Sequence, residues 1–162
     1  CREVNTRSRV ESGVAAAITR VQGKKGGDII AEQIRCALGE ALGYTQDDIT
    51  FEGGGIEYRI IAEDPENRFT PWVGRIESFH WKEESWLSMH THVPTDKPYD
   101  IPTEFDPNLA LGIIWGKDLE EVRQHGLSFL DNLVLEGRNA ANDPLKSNVE
   151  FLRRKTEHIP LV

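Results

Sequence analysis

The sequence has no long apolar run and almost no cysteine. No apolar stretch approaches the roughly 18 to 20 residues that a membrane-spanning helix requires, and no apolar segment of a signal peptide follows the first residues. The two cysteines, Cys1 and Cys36, are too few for a disulfide framework, and Cys36 is expected as a buried thiol in a helix. These absences argue against a membrane protein and a disulfide-rich secreted domain, and we expect a reducing cytoplasm.

Positive charge is also in short supply. The 162 residues carry 19 lysines and arginines against 27 aspartates and glutamates, which gives a formal net charge of −8. The excess of negative charge opposes binding to nucleic acid and to anionic membranes, so we expect neither as a partner. The first position holds Cys1 and not methionine, and for this reason we do not expect an intact translation product.

Apolar residues recur at a spacing of three to four residues in four segments, which predicts four helices. The first covers residues 14–19 and the last runs from 145 to about 155. Asp28 and Asp118 are the expected N-caps of the second and third helices, and Gly137 is expected to end the third. The apolar positions are Ile30, Ile34, Ala37 and Leu38 in the second helix, and Leu119, Val122, Gly126, Leu130 and Leu133 in the third.

The middle of the sequence has the alternation typical of strands. A strand is predicted at 56–62. Its alternation, continued to the next residue, places Ile56, Tyr58, Ile60 and Ala62 on an apolar face and Glu57, Arg59, Ile61 and Glu63 on the other, more polar face. Helices flanking an antiparallel sheet predict an α+β fold. Further strands are predicted at 74–80, 86–93 and 109–115, a flexible loop at 21–27, and an irregular stretch with four prolines at 94–107.

Residues 3–11 carry a row of polar side chains. In an extended backbone, residues two apart share a face. A row of carboxylate, amide and guanidinium groups is poorly suited to packing against an apolar core. Such a row could bind an anion and a metal ion and transfer a proton at one site. The alternative is an edge strand with mutually paired surface charges, and the pattern alone leaves both open. The row consists of Glu3, Asn5, Arg7, Arg9 and Glu11, opposite Val4 and Val10.

Several separate motifs resemble, in the same order, those of biotin carboxylases. The resemblance extends from Cys1 to about Leu152. Because many motifs agree in order, the resemblance is far more specific than any one of them. The matching segments are 3–7 (EVNTR), 10–11 (VE), 32–35 (EQIR), 57–65 (EYRIIAEDP), 74–76 (GRI), 115–118 (WGKD), 120–121 (EE) and 135–137 (LEG).

The resemblance implies a fold and a reaction. It implies that residues 1–26 are the last strand, loop and helix of an ATP-grasp domain, and that residues 27–162 form a biotin carboxylase C-terminal domain. Biotin carboxylases use ATP with Mg²⁺ or Mn²⁺ to activate bicarbonate as carboxyphosphate, and then carboxylate a ureido nitrogen of biotin on a carrier protein. ATP, the metal ion, bicarbonate and biotin are therefore the expected substrates and cofactors.

The resemblance also implies roles for residues in the polar row. Arg7 is similar to the bicarbonate-binding arginine, and Glu11 to the general base that removes the bicarbonate proton. The backbone around Val10 resembles part of the bicarbonate cradle, to which Arg9 would add a second positive charge. Glu3 resembles a carboxylate that holds the catalytic metals, and Asn5 a polar neighbour of that metal site.

Arg59 resembles the arginine that stabilises the enolate of biotin while its nitrogen loses a proton. A fixed guanidinium is useful where negative charge develops. Without the resemblance, the strand pattern favours a salt bridge between Arg59 and Glu57 or Glu63.

Four departures from the family pattern bear on activity and assembly. Arg9 stands where the family usually has glutamine, Ser12 where it has histidine, and Leu111 where it has lysine. Residues 81–86 replace a glycine-rich turn that helps relatives to form a homodimer, which predicts at most a homodimer by an altered surface. The histidine pair His90 and His92 lacks a third ligand, so ordinary hydrogen bonding is expected.

The sequence therefore predicts the C-terminal part of a biotin carboxylase from an acyl-CoA or pyruvate-type enzyme. The expected partners are the upstream ATP-grasp half, a biotin carboxyl carrier domain and a carboxyltransferase component. Since no phosphate-binding loop is recognisable, we expect no activity from these 162 residues alone. The competing hypothesis is a non-catalytic docking subunit of a biotin-dependent carboxylase.

Overall fold

The computed structural model describes residues 12–25, 28–103 and 108–160, and it has the predicted α+β architecture. Helices occupy Ser12–Ile18 (α1), Ile29–Ala37 (α2), Leu119–Asn132 (α3) and Val149–Glu157 (α4). Strands occupy Thr19–Val21 (β1), Lys24–Lys25 (β2), Ile49–Phe51 (β3), Gly54–Ile61 (β4), Glu63–Asp64 (β5), Thr70–Pro71 (β6), Arg75–His80 (β7), Leu87–Thr91 (β8), Tyr99–Asp100 (β9), Asn108–Gly116 (β10) and Val134–Arg138 (β11).

A three-stranded antiparallel sheet forms the centre of the fold. Its strand order is β4-β10-β8, so the apolar strand β10 is paired on both edges. A central strand buried on both faces reads as a nearly continuous apolar run, which explains why 109–115 was recognisable in the sequence. The buried residues of β10 include Leu109, Ala110, Ile113 and Ile114.

The other strands form smaller antiparallel sheets around this centre. One has the order β11-β7-β9 and another has the order β2-β1-β3, while β5 pairs with β6. The predicted strands at 56–62, 74–80, 86–93 and 109–115 are confirmed within two residues at each end. The short strands β3, β5, β6 and β9 were not predicted, because two or three residues carry too little alternation.

Helix α3 packs on β4 through a position that only glycine can fill. A Cβ on Gly126 would lie 2.2 Å from the hydroxyl oxygen of Tyr58. That hydroxyl is hydrogen bonded to Thr156 of α4 at 2.9 Å, and burial raises the pKa of Tyr58 above its ordinary value. One buried tyrosine therefore joins the sheet to both helices.

The predicted end of the third helix at Gly137 is wrong. Asp118 caps α3 as expected, by accepting from the backbone N–H of Glu121 at 2.8 Å, but the helix ends at Asn132. Leu133 turns the chain into extended backbone, and Gly137 lies in β11, paired with Ile76 of β7. Sheet pairing overrides the local helical pattern here. Leu119 is exposed, and the buried residues of α3 are Val122, Gly126, Phe129 and Leu130.

Two further predicted boundaries are wrong. The segment 21–27 is not simply a loop, since β1 and β2 pair as a hairpin whose turn residues Gln22 and Gly23 have positive φ angles of 50° and 73°. Positive φ angles at both turn residues are typical of two-residue hairpin loops, because the twist of such a turn matches the twist of the two flanking strands. The last helix begins at Val149 and not at 145, because the Leu145 N–H donates to the Gly137 carbonyl at 2.9 Å and so ties this residue to β11.

Helix α2 is turned the opposite way from an ordinary amphipathic surface helix. Its apolar residues Ile30 and Ile34 and its C-cap residue Leu38 are 52%, 56% and 73% exposed, whereas the side chain of Glu32 is only 16% exposed. We call these three apolar residues the α2 stripe. Cys36 is exposed as well, so the expected buried thiol is wrong. None of the helices in the described ranges is long and apolar enough to cross a membrane, and the expected cytoplasmic location stays a prediction.

Candidate functional site

Strand β4 has a buried face and a polar face, as the alternation predicted. Tyr58 and Ile60 are buried in the core, whereas Arg59 between them is exposed. Glu57 shares the face of Arg59, because residues two apart in a strand point the same way. The polar face of β4 is thus where the predicted chemistry of Arg59 has to be sought.

Arg59 forms a salt bridge with Glu57. Nε of Arg59 donates to Oε1 of Glu57 at 2.9 Å. The two partners differ in environment, since the side chain of Arg59 is 55% exposed and that of Glu57 only 9%. Of the two partners that the sequence left open, Glu57 and Glu63, the structure selects Glu57.

This salt bridge leaves most of the hydrogen-bonding capacity of Arg59 unused. A guanidinium has five N–H donors in a fixed fork. Within the described ranges only Nε has an acceptor at bonding distance. The two outer amino groups are therefore presented to solvent, in a form that suits planar oxyanions and polarised carbonyl oxygens.

The backbone of Arg59 is held separately by Asn148, which directly precedes α4. Asn148 is buried, and its Nδ2 donates to the Arg59 carbonyl at 2.9 Å while its Oδ1 accepts from the Ile61 N–H at 2.9 Å. Both hydrogen-bonding edges of the amide are thus engaged with β4. Sequence reasoning missed Asn148, since an asparagine before a helix predicts an N-cap and not contact with a strand 87 residues away.

The cross-strand neighbours of Arg59 include no lysine or second arginine. In the register of the central sheet, Arg59 pairs with Leu111 of β10, and Leu111 pairs with His90 of β8. Leu111 occupies the position where the resemblance expects a lysine. His90 is exposed, and its Nε2 lies 3.2 Å from the Ser88 hydroxyl. Of the three residues in this cross-strand row, Arg59 is therefore the one with a permanent positive charge.

Helix α1 lies over the same sheet beside the pair. A Cβ on Gly13 would lie 2.2 Å from Cδ1 of Ile113, and Ile113 is the cross-strand partner of Glu57. A Cβ on Gly55 would lie 3.0 Å from Cγ1 of Val14. The described chain thus starts, at Ser12, close to the Glu57–Arg59 pair.

Six predicted site residues lie outside the described residues. Their roles stay predictions. They are Glu3, Asn5, Arg7, Arg9, Val10 and Glu11.

Within the described ranges, no group of three or more His, Cys, Asp or Glu side chains is arranged to hold a metal ion. The predicted metal ligands Glu3 and Asn5 fall outside those ranges. His92 makes an edge-to-face contact with Tyr99, with ring centroids 5.6 Å apart. The Ser88 contact of His90 agrees with the hydrogen bonding that the sequence predicted, whereas the contact of His92 is between aromatic rings.

The end of β4 leads into a charged groove that Arg59 does not line. Lys146 binds Asp64 there, and this hydrogen bond holds the pKa of Asp64 below its usual range. Burial raises the pKa of the neighbouring Glu63. The groove has a volume of about 430 Å³, and its apolar wall comes from Leu133, Leu135, Leu145, Val149 and Phe151.

Comparison with known proteins gives a consistent family assignment. A family model described as the biotin carboxylase C-terminal domain matches residues 57–159. The chloroplastic biotin carboxylase of Arabidopsis thaliana is 38% identical over 135 residues, which cover 83% of this chain and 24% of that protein. The mitochondrial methylcrotonoyl-CoA carboxylase subunit alpha of Mus musculus is 35% identical over 158 residues, covering 96% of this chain and 20% of that protein.

Solved structures show the same likeness. The biotin carboxylase domain dimer of Hydrogenobacter thermophilus 2-oxoglutarate carboxylase, in complex with MgADP, ADP and bicarbonate, is 32% identical, with a TM-score of 0.79. That match covers 94% of this chain and 30% of the solved chain. The chain thus spans about a fifth to a third of the length of these relatives.

Proposed function

The chain belongs to the biotin carboxylase C-terminal domain family, and from this premise we propose that it supplies the biotin-facing side of an ATP-dependent biotin carboxylase. The observation that carries the proposal is the presentation of Arg59. Its Nε is bound to Glu57, its backbone is bound to Asn148, and its outer amino groups are directed to solvent. A guanidinium fixed in this way can meet a developing negative charge with little reorganisation.

The chemistry proposed for Arg59 follows from the reaction that the family catalyses. When a ureido nitrogen of biotin loses its proton, negative charge develops on the ureido oxygen. The outer amino groups of Arg59 would donate hydrogen bonds to that oxygen, and charge-assisted bonds of this kind are about twice as strong as neutral ones. Arg59 would therefore lower the barrier to forming the nucleophile.

The bicarbonate side is proposed to lie in the residues that precede α1. Arg7, Arg9 and the backbone at Val10 would bind bicarbonate, and Glu11 would take its proton. Glu11 is joined directly to Ser12, and α1 begins beside the Glu57–Arg59 pair. Covalent linkage thus supports the proposal that base and arginine act in one site.

Metal binding is proposed for two of these residues. Glu3 would bind Mg²⁺ or Mn²⁺, and Asn5 would lie beside it. Carboxylate and amide oxygens are the ligands that such hard cations prefer. ATP would be bound mostly by protein outside these 162 residues.

The boundary between residues 1–26 and 27–162 is part of the same proposal. The first segment would complete an ATP-grasp domain, and the second would be the C-terminal domain. The two segments contact each other, since β1 pairs with β3 across the boundary in the register Thr19 to Phe51. The boundary would therefore be one of function within a packed unit.

The α2 stripe supports the proposal that an ATP-grasp half packs against this chain. Three apolar side chains on one helical face are exposed while a glutamate of the same helix faces inward. Fully burying one such side chain contributes about 1.5 to 3 kcal/mol. Leu42 and Phe51, which follow α2 in the chain, are exposed as well. We propose that the upstream half covers this surface.

Two further partners, a biotin carboxyl carrier domain and a carboxyltransferase component, are proposed from the family. The acyl-CoA class of the final acceptor stays a prediction, since the relatives include carboxylases named for methylcrotonoyl-CoA and for 2-oxoglutarate. A homodimer would use an altered surface at 81–86. That segment is held by its own contacts, including a Lys82–Glu84 ion pair and a Trp81 Nε1 bond to Glu83 at 3.0 Å.

The proposal is tested in the enzyme assembled from this chain and an ATP-grasp half. We expect bicarbonate- and biotin-dependent ATP hydrolysis from the assembly, and none from the 162 residues alone. Arg59→Ala should lower the rate of biotin carboxylation about 100- to 1,000-fold, the range seen when one donor to a developing oxyanion is removed. Unchanged turnover in Arg59→Ala would contradict the proposal.

A second candidate function is a non-catalytic docking subunit. It is favoured by Leu111, which places an apolar side chain directly across from Arg59 where the family carries a lysine. A docking subunit would give assemblies that bind normally and whose turnover, if any, does not depend on Arg59. Measuring assembly and turnover of the Arg59→Ala enzyme side by side therefore separates the two functions.

A further inference from the structure

The second carboxylate oxygen of Glu57 is not used by the protein around it. Oε1 accepts from Arg59, whereas Oε2 is buried and has no hydrogen-bond partner among the described residues. A buried polar atom without a partner costs free energy, so native proteins keep few of them. The unpartnered Oε2 of Glu57 therefore costs folding free energy, and packing alone does not explain why a glutamate stands at this position.

The salt bridge itself is a weak source of stability. One partner is half exposed and the other is almost fully buried, and burying a carboxylate removes hydration that a single ion pair repays only in part. Replacement of a buried ion pair by apolar groups is often neutral or stabilising. Stability thus gives little reason for a glutamate at this position.

The geometry gives a different reason. Arg59 has a long side chain with many rotamers, and a mobile guanidinium loses effect when its target is a single oxygen. Glu57 lies two residues away on the same strand face and binds Nε, the one donor nearest the strand. A bond at Nε fixes the plane of the guanidinium and leaves both outer amino groups free for a ligand.

We propose that Glu57 is a positioning residue that orients the guanidinium of Arg59 toward the ureido oxygen of biotin. This inference rests on the proposed function, and it assigns to Glu57 no contact with the substrate. Asn148 separately holds the backbone of Arg59 by donating to its carbonyl oxygen. The strand would thus be fixed by α4 and the side chain by Glu57.

The test uses the assembled carboxylase with free biotin as the probe. Glu57→Met removes the acceptor but keeps the side-chain volume, and Glu57→Gln keeps an acceptor oxygen without the charge. We expect kcat for biotin carboxylation to fall about ten- to hundred-fold in Glu57→Met, the size of effect that small misplacements produce. Glu57→Gln should recover part of that loss. The KM for MgATP should stay within about two-fold, because the ATP site lies elsewhere.

Glu63→Gln is the matched control. Glu63 follows on the same alternating positions of the chain and is partly buried, but within the described residues it makes no hydrogen bond to Arg59. Its kcat should equal that of the parent enzyme. A loss as large as that of Glu57→Met would show a general effect of charge at this edge, and would overturn the proposal.

A double-variant cycle separates positioning from a structural role. In the Arg59→Ala background, Glu57→Met should lower kcat by less than two-fold, because a positioning residue has no effect once the group it positions is gone. Additive losses would overturn the proposal. Glu57→Met should also keep the melting temperature of the parent enzyme, whereas Arg59→Ala should lower it by leaving Glu57 buried and unpaired.

The cycle also distinguishes failure of this inference from failure of the proposed function. If Arg59→Ala keeps full turnover, the proposed function fails, and the positioning role with it. If Arg59→Ala loses turnover while Glu57→Met and Glu57→Gln keep it, only the positioning role fails. Should Glu57→Met not fold, Glu57→Gln still decides, since positioning through a charge-assisted bond predicts a measurable loss in that variant.

Discussion

Two regions of the molecule differ in where their apolar side chains lie. One is the central sheet with α3 and α4, and the other is the segment around α2. In the first region, Ile60, Ile114 and Val122 are buried almost completely, and the few buried polar groups include Asn148 and Thr156, which are hydrogen bonded. In the second, the α2 stripe faces solvent, whereas the side chain of Glu32 is only 16% exposed. We call the first the complete region, because it buries its apolar residues within the described chain. We call the second the incomplete region, because we propose that the upstream half covers its exposed apolar surface.

This difference explains where the candidate site lies. Arg59 is fixed by the complete region, through β4 and Asn148, and it lies on the face of β4 on which α1 packs. A site assembled at such a boundary can combine a rigid cation from one domain with groups from another. The comparison can be tested by substitutions in each region.

The largest effect is expected from Gly126→Ala in the complete region. The new Cβ would lie 2.2 Å from the Tyr58 hydroxyl oxygen, so the tyrosine and its bond to Thr156 must shift. Overpacking of this kind costs about 3 kcal/mol of unfolding free energy at its upper end. Chemical denaturation of the assembled enzyme measures it. Ser128→Ala, on the exposed side of the same helix, is the control and should change stability by less than about 0.5 kcal/mol.

A somewhat smaller loss is expected from Asn148→Ala. This change leaves the Arg59 carbonyl and the Ile61 N–H without their side-chain partner, at a cost of about 1 to 3 kcal/mol. Because the backbone of Arg59 is released, biotin carboxylation should fall as well. The control is Asn132→Ala, which removes one exposed bond to the Ser128 carbonyl. Equal losses of stability in the two variants would show that the bonds from Asn148 to β4 contribute no more than one exposed hydrogen bond.

In the incomplete region, Ile34→Ser should have an effect that depends on the partner. If an ATP-grasp half covers the α2 stripe, the assembled enzyme should lose about 1.5 kcal/mol, the lower end of the range for burying one aliphatic side chain. Thermal melting and the dissociation constant of the two halves measure the loss. Cys36→Ser, at an exposed position of α2 outside the stripe, is the matched control. If Ile34→Ser behaves like Cys36→Ser, the stripe is exposed in the assembly too and its proposed role is wrong.

The smallest effect is expected from the ion pair between Lys146 and Asp64 at the end of β4. Lys146 lowers the pKa of Asp64, so the stabilisation is present above the ordinary aspartate pKa of about 3.9 and is lost as pH falls through the lower folded-state pKa. Lys146→Met should therefore be less stable than the parent near neutral pH, and the two should converge in acid. Denaturation curves between pH 2 and 7 test this, and a difference that grows toward acid would contradict it.

Much of the fold was predictable because its signals are local. Alternation in β4, the apolar run of β10 and the Asp118 cap of α3 each depend on neighbouring residues. The wrong boundaries were those decided by distant partners. Gly137 looks like a helix end, but pairing with Ile76 makes it part of a strand, and residues 145–147 look helical until the backbone bond from Leu145 to Gly137 is known.

For the candidate site, the sequence alone identified Arg59, placed it on the polar face of β4 and named two possible partners. It determined this much because alternation is a property of neighbouring residues, and because the motifs around Arg59 stand in the family's order. Only the tertiary structure chose Glu57 over Glu63, brought Asn148 to the Arg59 carbonyl and left the α2 stripe exposed. Contacts between residues far apart in the chain depend on how the elements pack, and no local pattern carries that information.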